Sequence, residues 1–169
     1  MNGRRGIEAE AKSLGLALAR LLEARPGLRR AFRALRRADP PEAWTHLYRL
    51  GEGLPEDVLR GAGLLAATFR HARFHPASLF PKDPAGERRF YRLLRARTPL
   101  EVALALTRQA SYLGGALDLG EAVRGLALWG DGVRLEWARV YAGGTLGGDN
   151  ALSRGAAGEE AVGEVAAPR

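Results

Sequence analysis

Between Gly27 and Ala38 the chain carries Arg29, Arg30, Arg33, Arg36 and Arg37. On an ideal helical wheel these fall within an arc of about 120° opposite Leu28, Ala31, Phe32 and Leu35. No acid lies between Ala24 and Ala38, so like charges share one face and repel one another. Solvated helix faces ordinarily mix signs, whereas a face of one sign suits a polyanion. A second stripe follows at Arg88, Arg92 and Arg95, spaced i, i+4 and i+7, with Arg89 beside them and Phe90, Tyr91 and Leu94 on the other side. A guanidinium is always charged, and its planar fork donates two parallel hydrogen bonds, a match for phosphate. The chemistry expected of these residues is binding to a nucleic-acid backbone.

Other reactive constellations are sparse. His71 and His75 stand at i and i+4, a spacing that can grip one metal ion, but the segment offers no third ligand and no carboxylate to orient the rings, so no metal is expected. The chain has no cysteine, which excludes a disulfide scaffold, a thiolate cluster and a cysteine nucleophile. Its four serines lack histidine and carboxylate partners that spacing can place. Gly143-Gly144-Thr145-Leu146-Gly147-Gly148 is glycine-rich, yet no Gly-Lys-Ser/Thr follows and no strand pattern precedes it, unlike a phosphate loop. Phe32, Trp44, Phe69, Phe90, Trp129 and Trp137 keep helical register with leucines and read as core, so backbone contact rather than base stacking is the expected mode. The chain reads as a non-enzyme without cofactors.

The elements that must hold these residues are helical almost throughout. Apolar residues recur at helical spacing, and no run alternates as a half-buried strand does. The pattern predicts helices over roughly 7–24, 27–38, 42–50, 55–75, 86–97, 99–113, 119–128 and 132–142. Arg25-Pro26-Gly27 and Asp39-Pro40-Pro41 stop the first two, because proline lacks the N–H and disfavours a helical residue before it. Thr98-Pro99-Leu100-Glu101 is a capping box with proline at the first helical position. Asp118 and Asp131 cap the last two helices. The fold class is thus all-α, a single compact bundle of about eight helices.

Residues 1–142 read as one all-α nucleic-acid-binding domain. The 27 residues from Gly143 hold seven glycines and six alanines without a periodic apolar face, so residues 143–169 are expected to be a disordered tail, and deletion of residues 146–169 is expected to move the thermal midpoint little. At 169 residues, 46% hydrophobic and 27% charged, the chain suits one soluble domain. It has no apolar run of transmembrane length and no signal-peptide pattern, so no membrane partner and a cytoplasmic location are expected. Of 26 Lys and Arg residues only Lys12 and Lys82 are lysines. Charge is uneven: residues 1–97 carry a net +10 and residues 98–169 a net −3, placing the polyanion-facing half at the N-terminus.

Three stretches resemble the CasB family, the small subunit of the type I-E CRISPR Cascade surveillance complex. They are Ala34-Leu35-Arg36-Arg37-Ala38; Glu87-Arg88-Arg89-Phe90-Tyr91-Arg92-Leu93-Leu94-Arg95-Ala96; and Leu117-Asp118 with Leu126-Ala127-Leu128-Trp129 and Trp137-Ala138-Arg139-Val140-Tyr141. The resemblance covers roughly residues 20–142. It implies a non-catalytic all-α subunit present in two copies, contacting crRNA and target DNA beside the large and backbone subunits and helping to hold the R-loop open. By family likeness Arg36-Arg37 and Arg88-Arg89 match basic positions most directly, followed by Arg92, Arg95 and Arg108. With Arg29 and Arg33 from the first stripe, these are the candidate nucleic-acid-binding residues. The competing reading is a helix-turn-helix DNA-binding regulator whose second helix enters a major groove, although Asn2, Asn150 and Gln109 are its only Asn or Gln for reading adenine.

Overall fold

The computed structural model describes residues 2–111 and 114–143. The chain divides into two compact units, Met1–Arg134 and Leu135–Arg169. Helix α1 (Asn2–Ala24) buries Ala11, Leu14, Leu18 and Leu22 completely, the i, i+3, i+4, i+7 stripe of an amphipathic helix. Pro26 opens a 3-10 turn (Pro26–Leu28), which runs into the short α2 (Arg29–Arg33) and a second 3-10 turn (Ala34–Arg36). Then come α3 (Pro41–Leu50), α4 (Glu56–Thr68), α5 (Pro84–Leu94), α6 (Pro99–Thr107), α7 (Leu119–Ala127) and α8 (Asp131–Tyr141). The all-α architecture holds, with a minimal sheet added.

Helix α4 is the centre of the first unit, packed against α1, α2, α3, α6 and α7. From Val58 to Ala67 only Arg60 escapes full burial, so α4 is apolar all round, as a helix surrounded by others must be. Two close approaches depend on glycine. A Cβ at Gly15 would lie 2.3 Å from the Leu119 carbonyl oxygen, so its absence lets α1 lie directly on α7. One at Gly63 would lie 2.5 Å from Leu35 Cδ1, so α2 and its following turn seat on α4 by the same device. Of the second unit, residues 135–143 continue α8, with Trp137 and Tyr141 buried and Leu135 exposed.

Of the expected caps, Thr98 and Asp118 act as such, whereas Asp131 is the first residue of α8 and its carboxylate pairs with Arg134. Thr98 Oγ1 accepts the Glu101 N–H at 3.2 Å, and Glu101 Oε1 accepts the Arg97 N–H at 2.7 Å. Asp118 Oδ1 accepts the Glu121 N–H at 3.0 Å at the start of α7, and Asp83 does the same for Gly86 at 2.7 Å, moving the start of α5 to Pro84.

The first helix starts at Asn2 rather than near residue 7, the second is α-helical only over Arg29–Arg33, and two later helices end early. Helix α4 stops at Thr68 rather than near His75, because Phe69 turns to extended backbone and Arg70–His71 (β1) pairs in parallel with Ala116–Leu117 (β2). The Arg70 N–H donates to the Gly115 carbonyl at 2.9 Å and the Ala72 N–H to Leu117 at 3.0 Å. Strands of two residues are too short to alternate visibly, so periodicity misses them. Helix α6 ends at Thr107 instead of just before Gly114; Gly114 and Gly115, both at positive φ, steer the chain into β2. The tail from Gly144 onward, including all but the first residue of the glycine-rich segment, lies outside the described residues. Among the described residues no helix is long and apolar enough to cross a membrane.

The early end of α4 also separates the two histidines. His71 sits on β1, where its Nδ1 accepts the Leu119 N–H at 3.2 Å. His75 caps a 3-10 turn (Pro76–Leu79) through Nδ1, which accepts the Ala77 N–H at 3.0 Å, and its Nε2 lies 3.9 Å from Glu121 Oε2. Burial, and then the nearby Arg124 guanidinium, push the His75 imidazole down to about 3. The fold therefore holds His75 neutral while the unfolded chain takes up a proton below about pH 6.5. Stability should be complete above that pH and fall by up to about 1.4 kcal/mol per pH unit as acid is added, before the carboxylates titrate. His75→Asn keeps a capping acceptor and removes the titration, so urea melts at pH 7 and pH 5 should differ less for the variant than for the parent. Equal pH dependence in both would refute this assignment.

Candidate nucleic-acid interface

The arginines fall into two groups by what their guanidiniums touch. Arg124 on α7 is buried and holds Glu8 of α1 at 2.5 Å and Glu121 at 3.0 Å. Arg60 on α4 pairs with Asp39, donates to the Leu35 and Ala38 carbonyls at 2.7 and 3.0 Å, and lies 5.2 Å from the centre of the Trp44 ring. Arg134 joins Asp131 at 3.1 Å and the Ala96 carbonyl at 2.9 Å while covering Trp129. These three hold helices together. The Asp39 carboxyl is held below its usual range by Arg60, and that of Glu8 by Arg124, as strong ion pairing requires.

The second group is uncommitted. Arg33, Arg36, Arg37, Arg88, Arg92, Arg95 and Arg108 are exposed, and none forms a hydrogen bond or ion pair through its guanidinium with another described residue. They are seven of the nine candidate residues. Arg89 is half-buried, its Nε donating to Gln109 Oε1 at 3.4 Å. Arg29 is the exception: its Nη1 donates to the Ala66 and Ala67 carbonyls at 3.2 and 3.4 Å, neutralising the negative end of α4. Part of its charge is therefore structural.

Three arginines of the second stripe converge on one feature, a cleft of about 290 Å³ between α5 and α6. Arg89 and Arg92 enter from α5, Arg95 from the residue that ends it, and Arg108 from the residue that ends α6. Leu93 and Ala105 give the cleft an apolar floor. Its one acid, Glu101, already accepts the Arg97 N–H, which leaves four cations facing a small, partly apolar recess. Such a setting favours an anion that brings its own hydrogen-bond acceptors. Compared with family models, curated proteins and solved structures, the chain matches none. The geometry of the arginines must therefore carry the functional argument.

Arg88 lies on α5 outside the lining of this cleft. Arg33, Arg36 and Arg37 lie on the exposed side of α2 and the turn after it, where three residues per turn set Arg36 over Arg33. Arg29 lines a different cavity, with Arg20 of α1 and Arg70 of β1. Charge clustering missed Arg20 and Arg70 because they stand fifty residues apart in sequence, and only the fold sets them on one cavity. It missed Gln109 as well, which is buried beside Arg89 and could be found only from the fold.

Proposed function

We propose that this chain is a non-catalytic subunit that grips nucleic-acid backbone without reading base sequence. The observation that carries the reading is that seven of the nine candidate arginines are exposed with no partner among the described residues, three of them facing the α5–α6 cleft with Arg89. Cations left solvent-facing in the isolated chain are available to phosphate, and phosphate contacts supply affinity without sequence information. The resemblance to the CasB family extends the proposal to a type I-E RNA-guided complex. There the chain would contact crRNA and target DNA beside the large and backbone subunits and a second copy of itself. R-loop formation is nearly balanced in free energy, so backbone contacts of this kind tip it while base pairing keeps the sequence information. A recognition helix in a major groove is less favoured, since α2 has five residues between 3-10 turns and packs on α4.

Binding to single-stranded DNA of mixed sequence should be sequence-tolerant and steeply salt-dependent. With about five phosphates neutralised, log K against log salt should slope near −3.5. A flat dependence, or strong preference for one sequence, would overturn the backbone reading. Co-purification from the native host with a guide RNA and larger subunits tests the assignment to a complex, and recovery of the chain alone would count against it.

A further inference from the structure

We infer that the groove between α1 and β1 is a second phosphodiester-binding site, separate from the α5–α6 cleft and built around His71, Arg20 and Arg70. The inference rests on the nucleic-acid reading above and adds a second contact path to it. Two neighbouring cavities, of about 330 and 340 Å³, share Leu16 and His71 in their walls. Arg20, Arg29 and Arg70 line the first, and Lys12 and Arg73 the second. Among the described residues, Lys12, Arg20, Arg70 and Arg73 make no ion pair within 4.0 Å. Of the acids along the groove, Asp118 caps α7 and Glu121 is held by Arg124, which leaves Glu23 against the cations.

The chemistry of His71 in those walls is defined. The Leu119 N–H occupies Nδ1, so the neutral ring carries its proton on Nε2. His71 is exposed and lines both cavities, so its ring is shared by the two groups of cations. A single phosphate would use one end of this arrangement. Cations in both cavities with a shared donor match several phosphates in line, as a single strand presents them. Leu16 and Phe69 supply an apolar wall that strengthens these contacts by excluding water.

The test uses the full chain with its histidine rings labelled for NMR, titrated with a twenty-nucleotide oligo-dT and separately with pyrophosphate. Oligo-dT should move the His71 ring signals at lower concentration than pyrophosphate, and should move them still when Arg92, Arg95 and Arg108 are replaced by alanine. In Arg20→Ala/Arg70→Ala two phosphate contacts are lost, so affinity at 0.15 M salt should fall roughly tenfold and the salt slope should become shallower by about 1.4. Both side chains are exposed, so circular dichroism of this variant should match the parent. Unchanged oligo-dT affinity in the double variant, with the His71 signals unmoved in the parent, would overturn the second site while leaving the nucleic-acid reading intact. Equal response to pyrophosphate would overturn the strand as its ligand. Failure of the parent to bind oligo-dT at all would instead sink the functional reading itself.

Discussion

Arg124→Ala should lower the stability of the fold by about 3 kcal/mol, the low end for breaking a buried ion pair because Glu8 is partly exposed. For a chain of this size that is a drop of roughly 6–12 °C in Tm. Arg124 bridges Glu8 on α1 and Glu121 on α7, the helix pair brought close by Gly15. Its loss leaves Glu121 largely buried beside the neutral His75 without its cation, and water cannot readily replace it. Arg124→Lys should recover only part of the loss, since one ammonium cannot reproduce the fork that reaches both carboxylates. Thermal melts followed by circular dichroism decide the matter, and a shift under about 2 °C for the alanine variant would show that the bridge contributes little.

The opposite behaviour is expected of the cleft. Replacing Arg92, Arg95 and Arg108 together with alanine should leave the melting curve nearly unchanged, because none of the three guanidiniums holds another described residue. Single-strand affinity should fall about fifty-fold at 0.15 M salt, with a slope shallower by about 2, if each arginine neutralises one phosphate. The loss should be uniform across sequences. Arg36→Ala/Arg37→Ala is the companion measurement on the α2 side. A triple variant that binds normally while the Arg36/Arg37 variant does not would move the principal contact from α5–α6 to α2.

The helical starts and the uncommitted arginines were legible in the chain because their causes are local. Thr98 and Asp118 act on amides three residues away, and an arginine stripe without acids nearby has no short-range partner to consume it. Where distant residues decide, the reading failed. The i, i+4 spacing of His71 and His75 is good helical pattern, yet β2, more than forty residues later, takes Arg70 and His71 out of α4. Arg29 belongs to its stripe by every local measure, and only the fold shows that the end of α4 claims it. Arg124 stands in the less basic half of the chain with nothing nearby to mark it as the partner of Glu8, 116 residues earlier.

The pairing of Arg70–His71 with Ala116–Leu117 ties the α1–β1 groove to the native topology. His71 receives its Leu119 donor only after α7 has docked and this long loop has closed, so the unfolded chain has no equivalent pocket. A strand that occupies the groove therefore binds the folded state selectively and drags the folding equilibrium with it. At a hundred times its Kd such a strand would add about 2.7 kcal/mol to stability, so occupancy of the groove would register as a raised unfolding midpoint.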